Sequence, residues 1–248
     1  MNSRLFGKVA VITGGSRGLG FAIAKLFASE GCGIVITGRS PSRLSAAADR
    51  IQKSVAGSES SPAGVKVEAH ICDVRDPVSV DALFADVKRQ FGHIDILVNN
   101  AGIAQPNISI AATRLDLWRE VIDTNLNGLF YCTRAAIPLM RSGGTILNNL
   151  SAAAKTVFPK FAAYNASKHG GLGFTLSLRE ELIPLGIRVV ALMPGATDTQ
   201  IWDQFWPDAP RERMIPPESV AEAALYAVLL PPEANLSELV ITPASGAL

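Results

Sequence analysis

Tyr164 and Lys168 are the first residues whose types and spacing suggest chemistry, since they lie four residues apart in a segment with a helical hydrophobic pattern, residues 162–183. Side chains at this spacing project from the same side of a helix. A free tyrosine has a pKa of about 10, which is too high for ready proton transfer at neutral pH. An ammonium about 4 Å away stabilises a phenolate by about 4 kcal/mol at an effective dielectric of about 20, or about three pKa units. The pair is therefore predicted to transfer protons.

Ser151 supports this interpretation, because it follows a predicted strand and precedes Tyr164 by thirteen residues. Taken alone, a tyrosine and a lysine at helical spacing are usually a solvated surface pair. Ser151 and a glycine-rich loop upstream together favour the catalytic interpretation.

The glycine-rich loop runs directly from the first predicted strand into a helix and reads Thr-Gly-Gly-Ser-Arg-Gly-Leu-Gly from Thr13 to Gly20. Glycines permit a tight turn and allow the backbone to approach a pyrophosphate at the N-terminus of the helix. A glycine turn without a ligand is the alternative. The order strand, glycines, helix at the start of an alternating chain favours nucleotide binding.

The elements that must position these residues alternate along the chain. The predicted strands are residues 9–13, 34–37, 65–70, 94–98, 145–150, 187–192 and 239–241. The predicted helices are residues 19–29, 42–55, 78–91, 116–140, 162–183 and 219–230, and residues 57–64 are predicted as a solvated connection. This alternation predicts an α/β fold, a Rossmann-type doubly wound parallel sheet with helices on both faces, in one domain that spans residues 1–248.

Composition excludes several classes of protein. The chain has 248 residues, of which 48% are hydrophobic, and a formal net charge of +1. It can bury a large core, and its balanced charge gives no reason to expect nucleic acid or a membrane surface as partner. The three cysteines and three histidines have no ligand-like spacing, so no metal is predicted. Without a signal peptide or an apolar span, a cytoplasmic location is predicted.

A set of motifs in a fixed order resembles the short-chain dehydrogenase/reductase family over nearly the whole chain. Gly14, Gly18 and Gly20 follow the pattern T-G-x-x-x-G-x-G. The further motifs are Asp73-Val74, Asn99-Asn100-Ala101-Gly102, Asn125, Ser151, Tyr164 to Lys168, and Pro194-Gly195 with Thr199. The ending of the chain departs from the family, because residues 239–246 lack its frequent D-G-G.

The resemblance implies roles for individual residues. In the family, the residues that contact the cofactor correspond to Gly14, Ser16, Arg17, Gly18, Leu19, Gly20, Asp73, Val74, Asn100, Ala101, Gly102, Tyr164, Lys168, Pro194, Gly195, Thr197 and Thr199. Tyr164 then exchanges a proton with the reacting oxygen, Ser151 hydrogen-bonds that oxygen, Lys168 also binds the nicotinamide ribose, and Asn125 holds a water in a proton relay. Relatives form tetramers or dimers through the helices at residues 116–140 and 162–183, so a homo-oligomer is expected.

The choice of cofactor can be argued from charge. NAD sites place a carboxylate after the second strand, where it binds the ribose 2′-hydroxyl. Here that strand is followed by Arg39, and Arg17 lies in the glycine loop. A guanidinium binds a 2′-phosphate that a carboxylate would repel, so NADP(H) is predicted. An NAD-dependent enzyme and a catalytically idle nucleotide sensor remain the alternatives.

The substrate is expected to be an apolar ketone, aldehyde or alcohol, and residues 195–217 are predicted to form a lid over it. The pocket residues that the resemblance implies are mostly apolar: Ala152, Ala153, Phe158, Phe161, Trp202, Phe205 and Trp206. None is an arginine that would grip a carboxylate or phosphate. Packing of the aromatic residues within the lid is nearly as good an explanation. Arg211 and Arg213 could meet an anionic group if the lid closes, but solvation at the surface is the favoured expectation for both.

Overall fold

The computed structural model describes residues 3–56 and 64–246, so most of the predicted connection at residues 57–64 lies outside the described residues. Within these ranges the strands are β1 (Val9–Ile12), β2 (Gly33–Gly38), β3 (Val67–Ile71), β4 (Ile94–Asn99), β5 (Met140–Asn149), β6 (Arg188–Pro194) and β7 (Glu238–Ile241). The helices are α1 (Gly18–Ser29), α2 (Pro41–Ala56), α3 (Pro77–Phe91), α4 (Leu115–Ile122), α5 (Gly128–Ala136), α6 (Ala162–Leu182) and α7 (Pro217–Leu229).

The strands form one sheet in the order β3-β2-β1-β4-β5-β6-β7, and every pairing is parallel. The strand order reverses between β1 and β4, so the connections after these two strands diverge to opposite faces. In such sheets a crevice opens at the carboxyl ends of the strands beside this switch point. The predicted Rossmann-type fold is confirmed.

Successive strand residues supply two separate cores. Ala10 and Ile12 of β1 pack with α1, α2 and α7 on one face, whereas Val11 between them packs with α3, α5 and α6 on the other. The same alternation holds in β2, where Val35 faces away from Ile34 and Ile36. Because both faces are covered by helices, the strand reads as a continuous apolar run rather than an alternating one.

The helix predicted over residues 116–140 is interrupted. Residues Asp123–Asn127 form a π-helical turn between α4 and α5, and the α-helix ends at Ala136. Pro138 follows in a short 3-10 turn, and Met140 already belongs to β5. The prediction of one continuous helix to residue 140 was wrong in both respects. The hydrophobic period does not reveal one extra residue in a helical turn, and it does not show that a helix ends before a proline when an apolar strand follows.

Buried side-chain hydrogen bonds tie the centre of the sheet to the helices beneath it. The amide of Asn99, at the end of β4, donates to Thr133 of α5 and to Asn148 of β5, each at 2.9 Å. Asn148 in turn donates to Thr175 of α6 at 2.9 Å. Buried polar groups satisfied in this way specify one arrangement of strands and helices. In the described part of the chain, no helix has the length and hydropathy needed to cross a bilayer.

Candidate active site

A cleft of about 1190 Å³ runs along the carboxyl ends of the strands. Of the residues that the sequence predicts for catalysis or cofactor binding, all but Gly20 and Asn125 line it. The structure thus brings together side chains from both halves of the chain. Gly20 and Asn125 lie behind the wall of the cleft, where they pack against residues that line it.

The glycine loop is shaped by close backbone contacts. Gly14 and Gly18 have φ angles of 64° and 54°, in the left-handed region that favours glycine. A Cβ on Gly20 would lie 2.3 Å from the amide nitrogen of Asn100 and 2.6 Å from the Gly14 carbonyl oxygen. That amide nitrogen donates to the carbonyl oxygens of Thr13 and Gly14 at 2.9 and 3.1 Å. The Asn-Asn-Ala-Gly motif therefore holds the glycine loop in place.

The N-terminus of α1 and a rim of arginines provide positive potential at one end of the cleft. Arg17 precedes the first turn of α1 and its side chain does not cap the helix, which leaves backbone N–H groups for an anion. Arg17 and Arg39 line the cleft as predicted, and Arg43 of α2 joins them. Sequence reasoning missed Arg43, although its position four residues after Arg39 at the start of a helix was a usable signal.

Asp73 also lines the cleft, but its carboxylate is already engaged. Arg75 donates to it from Nε at 2.9 and 3.0 Å and from a terminal nitrogen at 2.6 Å. These bonds from Arg75, helped by its charge and by that of Arg39, lower the pKa of Asp73 below its ordinary value. The carboxylate beside the arginine rim, that of Asp73, is therefore already paired with Arg75.

The cleft fits a polar cofactor, since three buried side-chain oxygens on its wall have no hydrogen-bond partner among the described residues: Thr37 Oγ1, Thr124 Oγ1 and Asn149 Oδ1. Buried groups of this kind normally have a partner. Together with the glycine loop and the arginine rim, they form a surface that a dinucleotide can satisfy. The described residues contain no group of three or more His, Cys, Asp or Glu side chains that could hold a metal ion.

Tyr164, Ser151 and Lys168 meet near the middle of the cleft. The Ser151 side chain lies beside the Tyr164 hydroxyl, where it favours the phenolate, and its oxygen accepts from the Ala153 N–H at 3.1 Å. Lys168 Nζ lies 5.5 Å from the centre of the Tyr164 ring and donates to the Asn149 carbonyl oxygen at 3.3 Å. The predicted neighbourhood of the three side chains is present, with β5 supplying Ser151 at its carboxyl end and α6 supplying the other two.

The pKa values in this group are set by burial. Burial raises the pKa of Tyr164 above its ordinary value, and the neighbouring Ser151 side chain offsets part of that rise. Burial also lowers the pKa of Lys168 to about 8. The expected lowering of the phenol's pKa by the ammonium is not found, because desolvation dominates for both groups.

Asn125 lies on the π-helical turn and holds a neighbouring segment. Its side chain accepts from Ile103 N and donates to Ile103 O, both at 2.9 Å, and also donates to Ser167 Oγ at 3.1 Å. Its two side-chain atoms are thus committed to protein groups. The role of Asn125 in holding a water stays a prediction.

The other end of the cleft is walled by aromatic side chains. Of the predicted pocket residues, Ala152, Phe158, Phe161, Trp202, Phe205 and Trp206 line it. Ala153 does not, because it is fully buried behind Ser151 in a short 3-10 turn. The Phe161 and Phe205 rings meet edge to face with centroids 5.3 Å apart, and the Trp202 and Phe205 centroids are 4.9 Å apart.

The segment between β6 and α7, residues 195–216, is fastened by its own side chains. Arg211 donates to Asp198 at 3.0 Å, to the Thr199 carbonyl at 2.7 Å and to Asp203 at 2.6 Å. Trp202 Nε1 donates to the Thr197 carbonyl at 2.8 Å. In this conformation the Arg211 guanidinium is directed to two carboxylates of its own segment, and its contact with an anionic group on closure of the lid stays a prediction.

Comparisons with known proteins agree with this geometry. The sequence profile described as short chain dehydrogenase matches residues 8–210. An uncharacterized oxidoreductase from Staphylococcus saprophyticus is 37% identical over 241 residues, which are 95% of this chain and 97% of that protein.

Two solved structures show the same fold with different cofactors. An alcohol dehydrogenase from Thermococcus sibiricus, complexed with 5-hydroxy-NADP, has a TM-score of 0.86 at 29% identity, over 96% of this chain and 97% of that one. A 3-ketoacyl-(acyl-carrier-protein) reductase from Brucella melitensis, complexed with NADH, has a TM-score of 0.83 at 30% identity, over 97% and 98%. With its profile match over most of its length, this chain belongs to the short chain dehydrogenase family and is an oxidoreductase of that family.

Proposed function

We propose that the chain is an NADP(H)-dependent oxidoreductase that interconverts an apolar ketone or aldehyde and the corresponding alcohol. The observation that carries the proposal is the group of Tyr164, Ser151 and Lys168 in one cleft with the glycine loop. When bound, the nicotinamide cofactor supplies the hydride-transfer chemistry, and the protein supplies placement and proton transfer.

Each of the three side chains has a separate task. The pKa of Tyr164, raised by burial, keeps the phenol protonated at neutral pH, so that it can give a proton to a carbonyl oxygen. Ser151 is close enough to Tyr164 to hydrogen-bond the same oxygen. Lys168, held by the Asn149 carbonyl, places a cation beside the ring and favours the phenolate left after proton donation.

The preference for NADP(H) rests on the arginine rim. Arg17, Arg39 and Arg43 line the same end of the cleft, and no carboxylate directly follows β2. Arginine binds phosphate through two parallel hydrogen bonds, whereas a carboxylate in this position would repel it. NAD(H) dependence is the nearest alternative.

Arg39→Asp is expected to weaken NADPH binding by about 10- to 100-fold and to leave NADH binding within about threefold, because only the 2′-phosphate loses a charge-assisted bond. Dissociation constants from the quenching of protein fluorescence measure both. Arg141→Asp makes the same charge change on an exposed residue at the amino end of β5, away from the cleft, and serves as control. Equal losses for the two cofactors in Arg39→Asp would contradict the assignment.

The apolar substrate class is supported by the aromatic wall at the other end of the cleft. Phe158 and Trp206 are 43% and 42% exposed while lining it, so apolar surface is available to a ligand. Burying that surface against an apolar group is favourable, whereas an anionic substrate would lose its hydration there. The β6–α7 segment that carries Trp206 is accordingly proposed as a substrate lid.

Turnover is tested by following nicotinamide absorbance over a panel of aromatic and aliphatic ketones, aldehydes and alcohols with both cofactors. Tyr164→Phe is expected to lower kcat by about 10²- to 10⁴-fold, which is the usual contribution of a positioned acid. Its NADPH dissociation constant should change by less than about twofold. Substantial turnover in this variant would refute the role of Tyr164, while tight NADPH binding without turnover in the parent protein would favour a nucleotide sensor.

Association into a homo-oligomer stays a prediction. Helices α4, α5 and α6 expose large apolar side chains, among them Leu115, Phe130 and Leu176 at 73%, 45% and 41% exposure. Such surfaces are often buried between subunits.

A further inference from the structure

The segment after the Asn-Asn-Ala-Gly motif carries a fully buried glutamine, Gln105, that contacts α6, the helix that carries Tyr164. Its Oε1 accepts from the backbone N–H of Tyr164 at 2.9 Å, and its Nε2 donates to the backbone carbonyl of Lys160 at 3.1 Å. One side chain thus joins the first turn of α6 to the loop that precedes it.

The first contact makes Gln105 a cap for α6. The first N–H groups of a helix have no partner within the helix, and Phe161, at the capping position of α6, has no side-chain oxygen to offer. Helix caps usually come from the preceding residue itself. Here the cap comes from a segment distant in sequence, and the N–H that it satisfies belongs to Tyr164.

The second contact holds an unfavourable turn. Lys160 has φ of 65°, and it is the single non-glycine residue with positive φ in the described part of the chain. Side chains other than glycine adopt this conformation uncommonly. The Lys160 carbonyl accepts from both Gln105 Nε2 and the Ile108 N–H, the latter at 3.2 Å. Two hydrogen bonds from one segment therefore fix the turn that leads into α6.

The loop is held from the other side as well. Asn165, next to Tyr164, donates to the Phe158 carbonyl at 2.7 Å and accepts from the Phe158 N–H at 3.4 Å. The loop thus lies between two buried amides. Ile103, two residues before Gln105, is itself held by Asn125 through both its N–H and its carbonyl.

We propose that Gln105 is a positioning residue that sets the place of the Tyr164 hydroxyl relative to Ser151 and Lys168. The proposal rests on the proposed function of Tyr164 as proton donor. Gln105 acts only through the backbone, by fixing where α6 begins and how its first turn is oriented. Misplacing a reacting group by about 1 Å can lower a rate by about 100-fold, so a cap at this residue has a direct effect on catalysis.

Gln105→Met tests this, because methionine has a similar length and forms neither hydrogen bond. We expect kcat to fall by about 10- to 100-fold while the NADPH dissociation constant stays within about twofold. Gln105→Glu keeps an acceptor for the Tyr164 N–H, and a smaller loss of kcat is expected. A kcat in Gln105→Met within about twofold of the parent value would overturn the proposal.

Arg188→Met is the control for a general loss of stability. Arg188 lies at the amino end of β6, away from the cleft, and donates to the Leu230 carbonyl at 2.8 Å and the Val228 carbonyl at 2.9 Å. It is expected to lower the melting temperature and to leave kcat unchanged. A fall in kcat in Gln105→Met no larger than in this control would count against the proposal.

A readout that does not depend on turnover distinguishes a failure of the positioning role of Gln105 from a failure of the proposed function. The chain has three tyrosines, so ring-labelled ¹³C-tyrosine gives three NMR signals, and Tyr164→Phe identifies one of them. In Gln105→Met the Tyr164 signal and its titration midpoint should shift, while the signals of Tyr131 and Tyr226 stay in place. An unmoved Tyr164 signal would overturn the positioning role even if the parent protein proved inactive, and an inactive parent with a shifted signal would overturn only the proposed function.

Discussion

The cleft has two ends: the proposed cofactor end, with the glycine loop and the arginine rim, and the proposed substrate end, with the aromatic wall. Each end is held in shape by a different kind of interaction. At the cofactor end, glycines of the loop after β1 pack against backbone and against Asn100, with no room for even a methyl group at Gly20. At the substrate end, the walls are loops held by individual side chains, such as Gln105 on Lys160 and Arg211 on Asp198 and Asp203. The cofactor end is therefore fixed by steric fit, which tolerates little change. The substrate end depends on separate side-chain contacts that can be altered one at a time.

Lys168 lies where the two ends meet, and its replacement should have the largest effect. Its pKa, lowered from an ordinary 10.5 to about 8, means that the folded, cofactor-free protein carries a buried ammonium at neutral pH. The corresponding free energy is about 3 kcal/mol, by which burial opposes folding below pH 8. Between pH 8 and 10.5 the unfolded chain binds more protons, so stability rises with pH until the penalty is gone.

Lys168→Met should therefore lose turnover yet raise the free energy of unfolding by up to about 3 kcal/mol at pH 7, with the gain disappearing towards pH 10.5. Urea denaturation of the cofactor-free protein at pH 7 and pH 10 measures this. Lys25→Met, on an exposed lysine of α1, should show no such gain. A variant less stable than the parent at pH 7 would show that the ammonium is better solvated than its burial indicates.

Gly20→Ala tests the steric fit of the cofactor end. The added methyl group must displace Asn100 or the Gly14 carbonyl, and overpacking of this kind costs about 1–3 kcal/mol. We expect NADPH binding to weaken by about 10- to 100-fold, measured by fluorescence titration. Gly173→Ala is the matched control, because a methyl group there meets nothing within 4 Å on α6, and stability should rise by about 0.5–1 kcal/mol. Unchanged NADPH binding in Gly20→Ala would show that the glycine loop can move. The cofactor end would then not be fixed by steric fit, and it would not differ from the substrate end in this respect.

Arg211→Met tests the substrate end and should have the smallest effect. Without the guanidinium, the segment that carries Trp202 and Trp206 loses its ties to Asp198, Asp203 and the Thr199 carbonyl. We expect KM for the carbonyl substrate to rise by about 3- to 10-fold, with a smaller change in the NADPH dissociation constant, because partly exposed ion pairs contribute about 1 kcal/mol.

Arg114→Met provides the control for Arg211→Met, since Arg114 forms an exposed ion pair with Asp116 outside the cleft. It should leave both constants unchanged. A larger change in cofactor binding than in KM for Arg211→Met would mean that the β6–α7 segment belongs functionally to the cofactor end.

Most of the cofactor end was predictable because its interactions are local or carried by glycine. A turn with positive φ at Gly14 and Gly18 needs glycine, and that requirement is visible in the residue type. The pairing of Asn100 with this loop joins residues more than eighty positions apart. The sequence shows only that the glycine loop and the Asn-Asn-Ala-Gly motif occur in the same chain. The hydrogen bonds that join them are visible only in the structure.

The substrate end was only partly predictable. The aromatic residues and the approximate bounds of the β6–α7 segment follow from composition and from the strand and helix that flank it. The direction of Arg211, the burial of Ala153 and the cap from Gln105 do not, because a long side chain has several possible partners and only packing selects one. The π-helical turn at Asn125 was missed for a related reason, since one extra residue in a helical turn barely changes the hydrophobic pattern.

The alternation of strands and helices, the glycine loop and the residue types of the proposed catalytic group can all be predicted from the sequence, because they depend on periodicity, backbone freedom and spacing along the chain. The pKa values of Tyr164 and Lys168 depend instead on tertiary packing. Burial, which no local pattern reports, raises the pKa of Tyr164 and lowers that of Lys168, and a distant glutamine fixes the helix that carries them both.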